Sequence, residues 1–82
     1  LEDYNRSVDL SDMAEAYAKK GKTAEAIACY RQSIAIYPHD SASYNNLAKI
    51  FCDCGEPKQA IANYKKAIEL EPNYLDAWIG LG

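Results

Sequence analysis

Apolar residues recur along the chain at helical spacing, and glycines and prolines punctuate the runs. Leu10, Met13, Ala14 and Tyr17 stand at i, i+3, i+4 and i+7, which makes one apolar stripe on a 3.6-residue period. Lys19, Lys20 and Gly21 close that run. The cations suit the negative end of a helix dipole, and glycine takes the left-handed closing conformation without steric cost. The second stripe is Ala26, Ile27, Tyr30, Ser33 and Ile34. Thr23 is the predicted N-cap of its helix, and Pro38 ends the helix because proline forbids continuation. Tyr44, Leu47, Ala48 and Phe51 form the third stripe, with Asp40 as cap and Gly55 as terminator. The fourth is Ala60, Ile61, Tyr64, Ala67 and Ile68; Pro57 suits its first turn, where a missing N–H is not needed, and Pro72 stops it. Leu75, Trp78, Ile79 and Leu81 open a further helix. The prediction is an all-α chain of helix pairs.

The pairs repeat. Pro38 recurs as Pro72, 34 residues on (72 − 38), Gly21 as Gly55, Ala26-Ile27-Ala28 as Ala60-Ile61-Ala62, Tyr30 as Tyr64 and Ile34 as Ile68. Ser7 matches Ser41 and Ala14 matches Ala48. Leu10 and Tyr44 have a third counterpart in Trp78, and Met13 and Leu47 have theirs in Leu81. Self-similarity at such a period marks a repeat architecture. The expected division is an N-terminal extension or remnant of a preceding repeat at 1–6, one repeat at 7–40, a second at 41–74, and the first part of a third at 75–82. Ala14, Ala26, Ala48 and Ala60 are expected where helix backbones approach closely, and Tyr17, Tyr30, Phe51 and Tyr64 fill the space beside them.

These residues carry a resemblance. The pattern Leu10-x2-Met13-Ala14-x2-Tyr17…Ala26-x3-Tyr30-x2-Ser33…Pro38 resembles the tetratricopeptide-repeat (TPR) signature, and Tyr44, Leu47, Ala48, Phe51, Ala60, Tyr64, Ala67 and Pro72 repeat it. Trp78, Leu81 and Gly82 match the opening of another repeat. Ser33 and Tyr44 are the least typical choices. The resemblance implies a right-handed α-α superhelix, a solenoid of antiparallel helix pairs, whose first helices line a concave groove that holds a partner protein or peptide.

The groove residues follow from the helix face opposite the packing stripe. They are Val8, Ser11, Asp12, Glu15 and Lys19 in the first block, and Ala42, Asn45, Asn46, Lys49 and Asp53 in the second. The third offers Asp76, Ile79 and Gly80. Asn45 and Asn46 draw attention because a carboxamide both donates and accepts, and so pairs with the backbone of any extended peptide. Asn46 stands where similar proteins, protein O-linked N-acetylglucosamine transferases among them, place groove asparagines. Its counterparts Asp12 and Gly80 are not Asn, so no ladder forms, and a wet polar helix face is the plainer account of Asn46. Other family members clamp the C-terminal carboxylates of heat-shock chaperones with Lys, Arg and Asn. Ser11, Glu15, Asp76 and Gly80 occupy four of the places that this clamp needs, and only Asn46 matches. Chaperone-tail binding is therefore not expected.

Composition narrows the role further. A net charge of -3 over 82 residues, from 9 Lys and Arg against 12 Asp and Glu, argues against a nucleic-acid grip, which wants clustered cations. No apolar run approaches the ~20 residues of a membrane span, and no charged-then-apolar leader opens the chain. Cys29, Cys52 and Cys54 are few and odd in number; they read as reduced thiols, and a cytoplasmic location is the expectation. Cys52 and Cys54, two apart on a helix, point to nearly opposite sides and do not share a metal ion, with or without His39. No cofactor is expected, and nothing supports acid–base or nucleophilic catalysis. Tyr37 and Tyr74, near the junctions of the pairs, are the tyrosines placed to touch solvent or a partner.

Three readings of the role stand at this point. The first is a non-catalytic interaction module, binding an extended or helical segment of neutral or mildly basic character in the groove. The second is self-association through an apolar end around Trp78, since solenoids need about three repeats and capped ends. The third is the substrate-docking arm of a larger enzyme, such as a protein glycosyltransferase.

Overall fold

A computed structural model of the protein describes residues 2–81, with the side chains of residues 2–5, 7 and 8 left aside. Leu1, the Ser7 side chain matched to Ser41, Val8 as a groove residue and Gly82 in the third copy lie outside the described residues. Among the described residues every regular element is a helix: α1 Glu2–Lys19, α2 Thr23–Ile36, α3 Ser41–Asp53, α4 Pro57–Leu70 and α5 Leu75–Leu81. α1 runs unbroken from Glu2, so residues 2–6 share the helix of the first block.

The chain forms two compact units, residues 1–39 and 40–82. In the first, α1 packs on α2. In the second, α3 packs on α4, and α5 rests on both. The two turns inside the pairs are built alike. Gly21 (φ 78) and Gly55 (φ 76) are left-handed, a conformation that costs other residues about 1–2 kcal/mol. Around Gly21 the Lys22 N–H donates to the Tyr17 carbonyl at 2.9 Å and the Gly21 N–H to Ala18 at 3.1 Å. Around Gly55 the Glu56 N–H donates to Phe51 at 2.8 Å and the Gly55 N–H to Cys52 at 3.1 Å. Both are Schellman closures, in which left-handed glycine lets two N–H groups reach back to the last open carbonyls.

That tightness corrects the expected cap. Lys22, not Thr23, is the N-cap of α2, and no side chain caps it. The residue that closes α1 is already the one that starts α2: the Lys22 carbonyl accepts from the Ala26 N–H at 3.0 Å. Glu56 plays both parts in the second unit, with its carbonyl accepting from Ala60 at 3.0 Å and Pro57 in the first turn of α4. Asp40 caps α3 as expected. One carboxylate oxygen accepts from the Ser43 N–H at 3.2 Å, and the other accepts from its hydroxyl at 2.6 Å. Such a cap is worth ~1 kcal/mol.

Small residues sit at the closest approaches. Ala14, Ala26, Ala48, Ala67 and Ala77 are fully buried, and Ala60 nearly so. Tyr30, Leu47, Phe51 and Tyr64 complete the cores, together with Cys29 and Ile50, which the stripes omit. Met13 and Ile61 are 48% and 44% exposed. At ~100° per residue, both lie at the margin of their stripes. α5 is fastened by its tryptophan, whose indole N–H donates to the Pro72 carbonyl at 2.9 Å.

Candidate partner-binding face

On α1 and on α3, each within its own unit, the expected groove residues divide into an exposed strip and one residue that turns inward. Asp12, Glu15 and Lys19 are exposed on α1, and Ala42, Lys49 and Asp53 are exposed on α3, with Asn46 half-buried beside them. At ~100° per residue, the α3 members fall within about 60° of arc, and their α1 counterparts do the same. Ser11 and its counterpart Asn45 lie ~40° beyond the strip's edge, on the side toward the packing stripe. Ser11 is half-buried, with its hydroxyl 3.1 Å from that of the buried Ser33. Asn45 is 1% exposed. As side chains offered on an open surface, then, the set on α3 is Ala42, Asn46, Lys49 and Asp53, and Asn45 belongs to the interior.

Asn45 has its own surroundings. Its Oδ1 is buried with no hydrogen-bond partner, and its carboxamide lies near the Tyr74 phenol. Burial lifts the Tyr74 phenol above its ordinary value of 10.0, and Asp76, Glu71 and Asp40 push the same way; the neighbouring Asn45 carboxamide opposes them. Glu71, Asn73, Tyr74, Leu75 and Asp76 wall an open cleft of ≈ 350 Å³ at the α4–α5 turn. Asp76 of this cleft is an expected groove residue on α5, whereas Glu71 lies in the α4–α5 turn, off any helical stripe.

The third block offers less than the sequence suggests. Asp76 and Ile79 are exposed. Gly80, however, packs against α4: a Cβ built on it would fall inside the Tyr64 ring. At that register the chain trades a recognition side chain for a close helix contact, which glycine alone permits. Tyr64 is buried, and burial first, then the neighbouring Cys52 thiol, Asp53 and Asp76, raise its phenol above the ordinary 10.0. A phenol whose folded pKa exceeds its unfolded one contributes stability that is full below pH ~10 and is lost as pH rises through the folded value. Urea midpoints should therefore hold level toward pH 10 and fall beyond it; a flat alkaline limb would contradict the burial of Tyr64 and Tyr74.

Charge on the strip of each unit is mixed with an acidic bias. Glu15 and Lys19 form an exposed i,i+4 ion pair at 3.5 Å, worth about 0.3–0.5 kcal/mol. Asp12 adds a negative charge on α1. In the second unit Asp53 and Asp76 oppose Lys49. Each unit thus presents two acids to one base. Tyr37 is 40% exposed, its ring edge-on to His39 at 6.4 Å between centroids, and Tyr74 is half-buried. Cys52 and Cys54 are exposed and Cys29 is buried, all as free thiols. Among the described residues no three His, Cys, Asp or Glu gather as metal ligands would, and no helix is long and apolar enough to cross a membrane.

Helix pairs repeating every 34 residues, closed by matching glycine turns and packed on buried alanines, define a helical-repeat protein. Two family models match, described as "Tetratricopeptide repeat" over residues 41–74 and "TPR repeat" over residues 14–51. The chain belongs to the tetratricopeptide-repeat family. Solved structures agree on the fold. The second TPR of Spaghetti (RPAP3), bound to the HSP90 peptide SRMEEVD, superimposes with a TM-score of 0.93 at 22% identity, covering 98% of this chain and 74% of that one. The first TPR of Spaghetti (RPAP3), bound to the same peptide, gives 0.91 at 23% identity over 94% of this chain and 61% of that one. MamA gives 0.90 at 20% identity over 95% of this chain and 46% of its own. No curated protein matches the chain.

Proposed function

We propose that this chain is a non-catalytic protein–protein interaction module that holds a partner segment along the first helix of each repeat. The carrying observation is a polar strip on the first helix of each unit: Asp12, Glu15 and Lys19, exposed on α1, and Lys49 and Asp53, exposed on α3 beside the half-buried Asn46. It stands in a family whose neighbours of like fold hold a peptide. Asn46 reads the partner's backbone, and Lys49 and the acids set its charge. Two acids to one base in each unit favour a neutral or mildly basic partner. An acidic segment such as the peptide held by those two neighbours is the wrong sign here: Glu15 and Asp76 stand where a carboxylate clamp, by resemblance, places its Asn and a Lys.

The test is affinity capture from lysate with a mass-spectrometric readout, comparing the wild-type chain with the Asn46→Ala/Lys49→Glu double variant after circular dichroism shows both helical. Both positions are away from the buried core, so stability should change by no more than about 0.5 kcal/mol, and the specific partners should be lost. Calorimetric titration of SRMEEVD into the wild-type chain should show no submillimolar binding. Partners kept by the double variant, or tight binding of that peptide, would each overturn the reading.

One observation favours a second reading, self-association. Leu75, Trp78 and Ile79 are 73%, 52% and 75% exposed on α5. Covering such side chains is worth roughly 1.5–3 kcal/mol each when burial is complete, so a second copy gains by docking there. Sedimentation should then show mass rising with concentration, and Leu75→Lys/Ile79→Lys should return the monomer. A monomer mass at every concentration would dispose of it.

A further inference from the structure

We draw no further inference here: the strongest candidate, the acidic cleft at the α4–α5 turn walled by Glu71, Tyr74 and Asp76, is a cluster of carboxylates with nothing in the structure to show what it would hold.

Discussion

Replacing Tyr64 with alanine is expected to cost about 3–5 kcal/mol, the range for deleting a core aromatic ring. A chain of 82 residues has only ~4–12 kcal/mol of stability in all, at roughly 0.05–0.15 kcal/mol per residue. The variant should therefore be largely unfolded at moderate urea. The expectation is this large because Tyr64 serves two contacts. Its ring is 4% exposed within the second unit, and one side of it lies against the backbone of Gly80, so α5 rests directly on it. Removing the ring opens a cavity under α4 and takes away the seat of a helix only seven residues long. Tyr64→Phe separates the ring from the hydroxyl. It should cost ~1 kcal/mol or less, the net worth of an ordinary hydrogen bond. Gly80→Ala approaches the same contact from the other side by pushing a methyl group into the ring, at about 1–3 kcal/mol. Urea unfolding followed by circular dichroism checks all three. If the alanine and phenylalanine variants at 64 were equally stable, the ring would not be the core element described.

Those contacts also show which parts of the fold the sequence made legible. Periodicity finds residues that must be small or large at every repeat, because the same close approach recurs every 34 residues. The alanines at 14, 26, 48 and 60 are all at most 1% exposed for that reason. Gly21 and Gly55 were legible because a left-handed turn leaves few alternatives to glycine. Periodicity does not reveal how wide the buried arc is. α3 buries Ser43, Asn45, Leu47, Ala48, Ile50 and Phe51, most of its circumference, so a polar residue just beyond the exposed strip looks like surface when read as a pattern. The miss at Gly80 has another origin. Register made it equivalent to Asn46 and hence a groove position, while its packing on Tyr64 depends on how closely α5 approaches α4. The cap at Lys22 was hidden because Thr23 is the better capping residue by chemistry, and only the tightness of the turn moves the helix start forward by one.

The miss at Asn45 has a measurable consequence. Asn45→Asp changes shape hardly at all, yet it places a carboxylate where the side chain is 1% exposed. Two effects raise the pKa of that carboxyl. Burial withholds solvation from the charged form, and the acids that already act on the neighbouring Tyr74, namely Asp76, Glu71 and Asp40, repel a further negative charge. Holding that carboxyl ionised in the folded chain should cost on the order of 3 kcal/mol at neutral pH. Since the folded pKa is the raised one, the loss is full above it and vanishes as pH falls below the unfolded value. The urea midpoint of the variant should lie far below wild type at pH 7 and approach it near pH 4. Asn45→Leu supplies the contrast. Oδ1 has no partner to forfeit, so leucine of similar bulk should cost no more than about 1 kcal/mol, with no pH dependence of its own. A partner-reading residue would behave in the opposite way, with Asn45→Asp folding normally at pH 7 while capture of the partner fails. The buried placement requires the unfolding result, which is why Asn46 and Lys49, and not Asn45, are the positions that test binding.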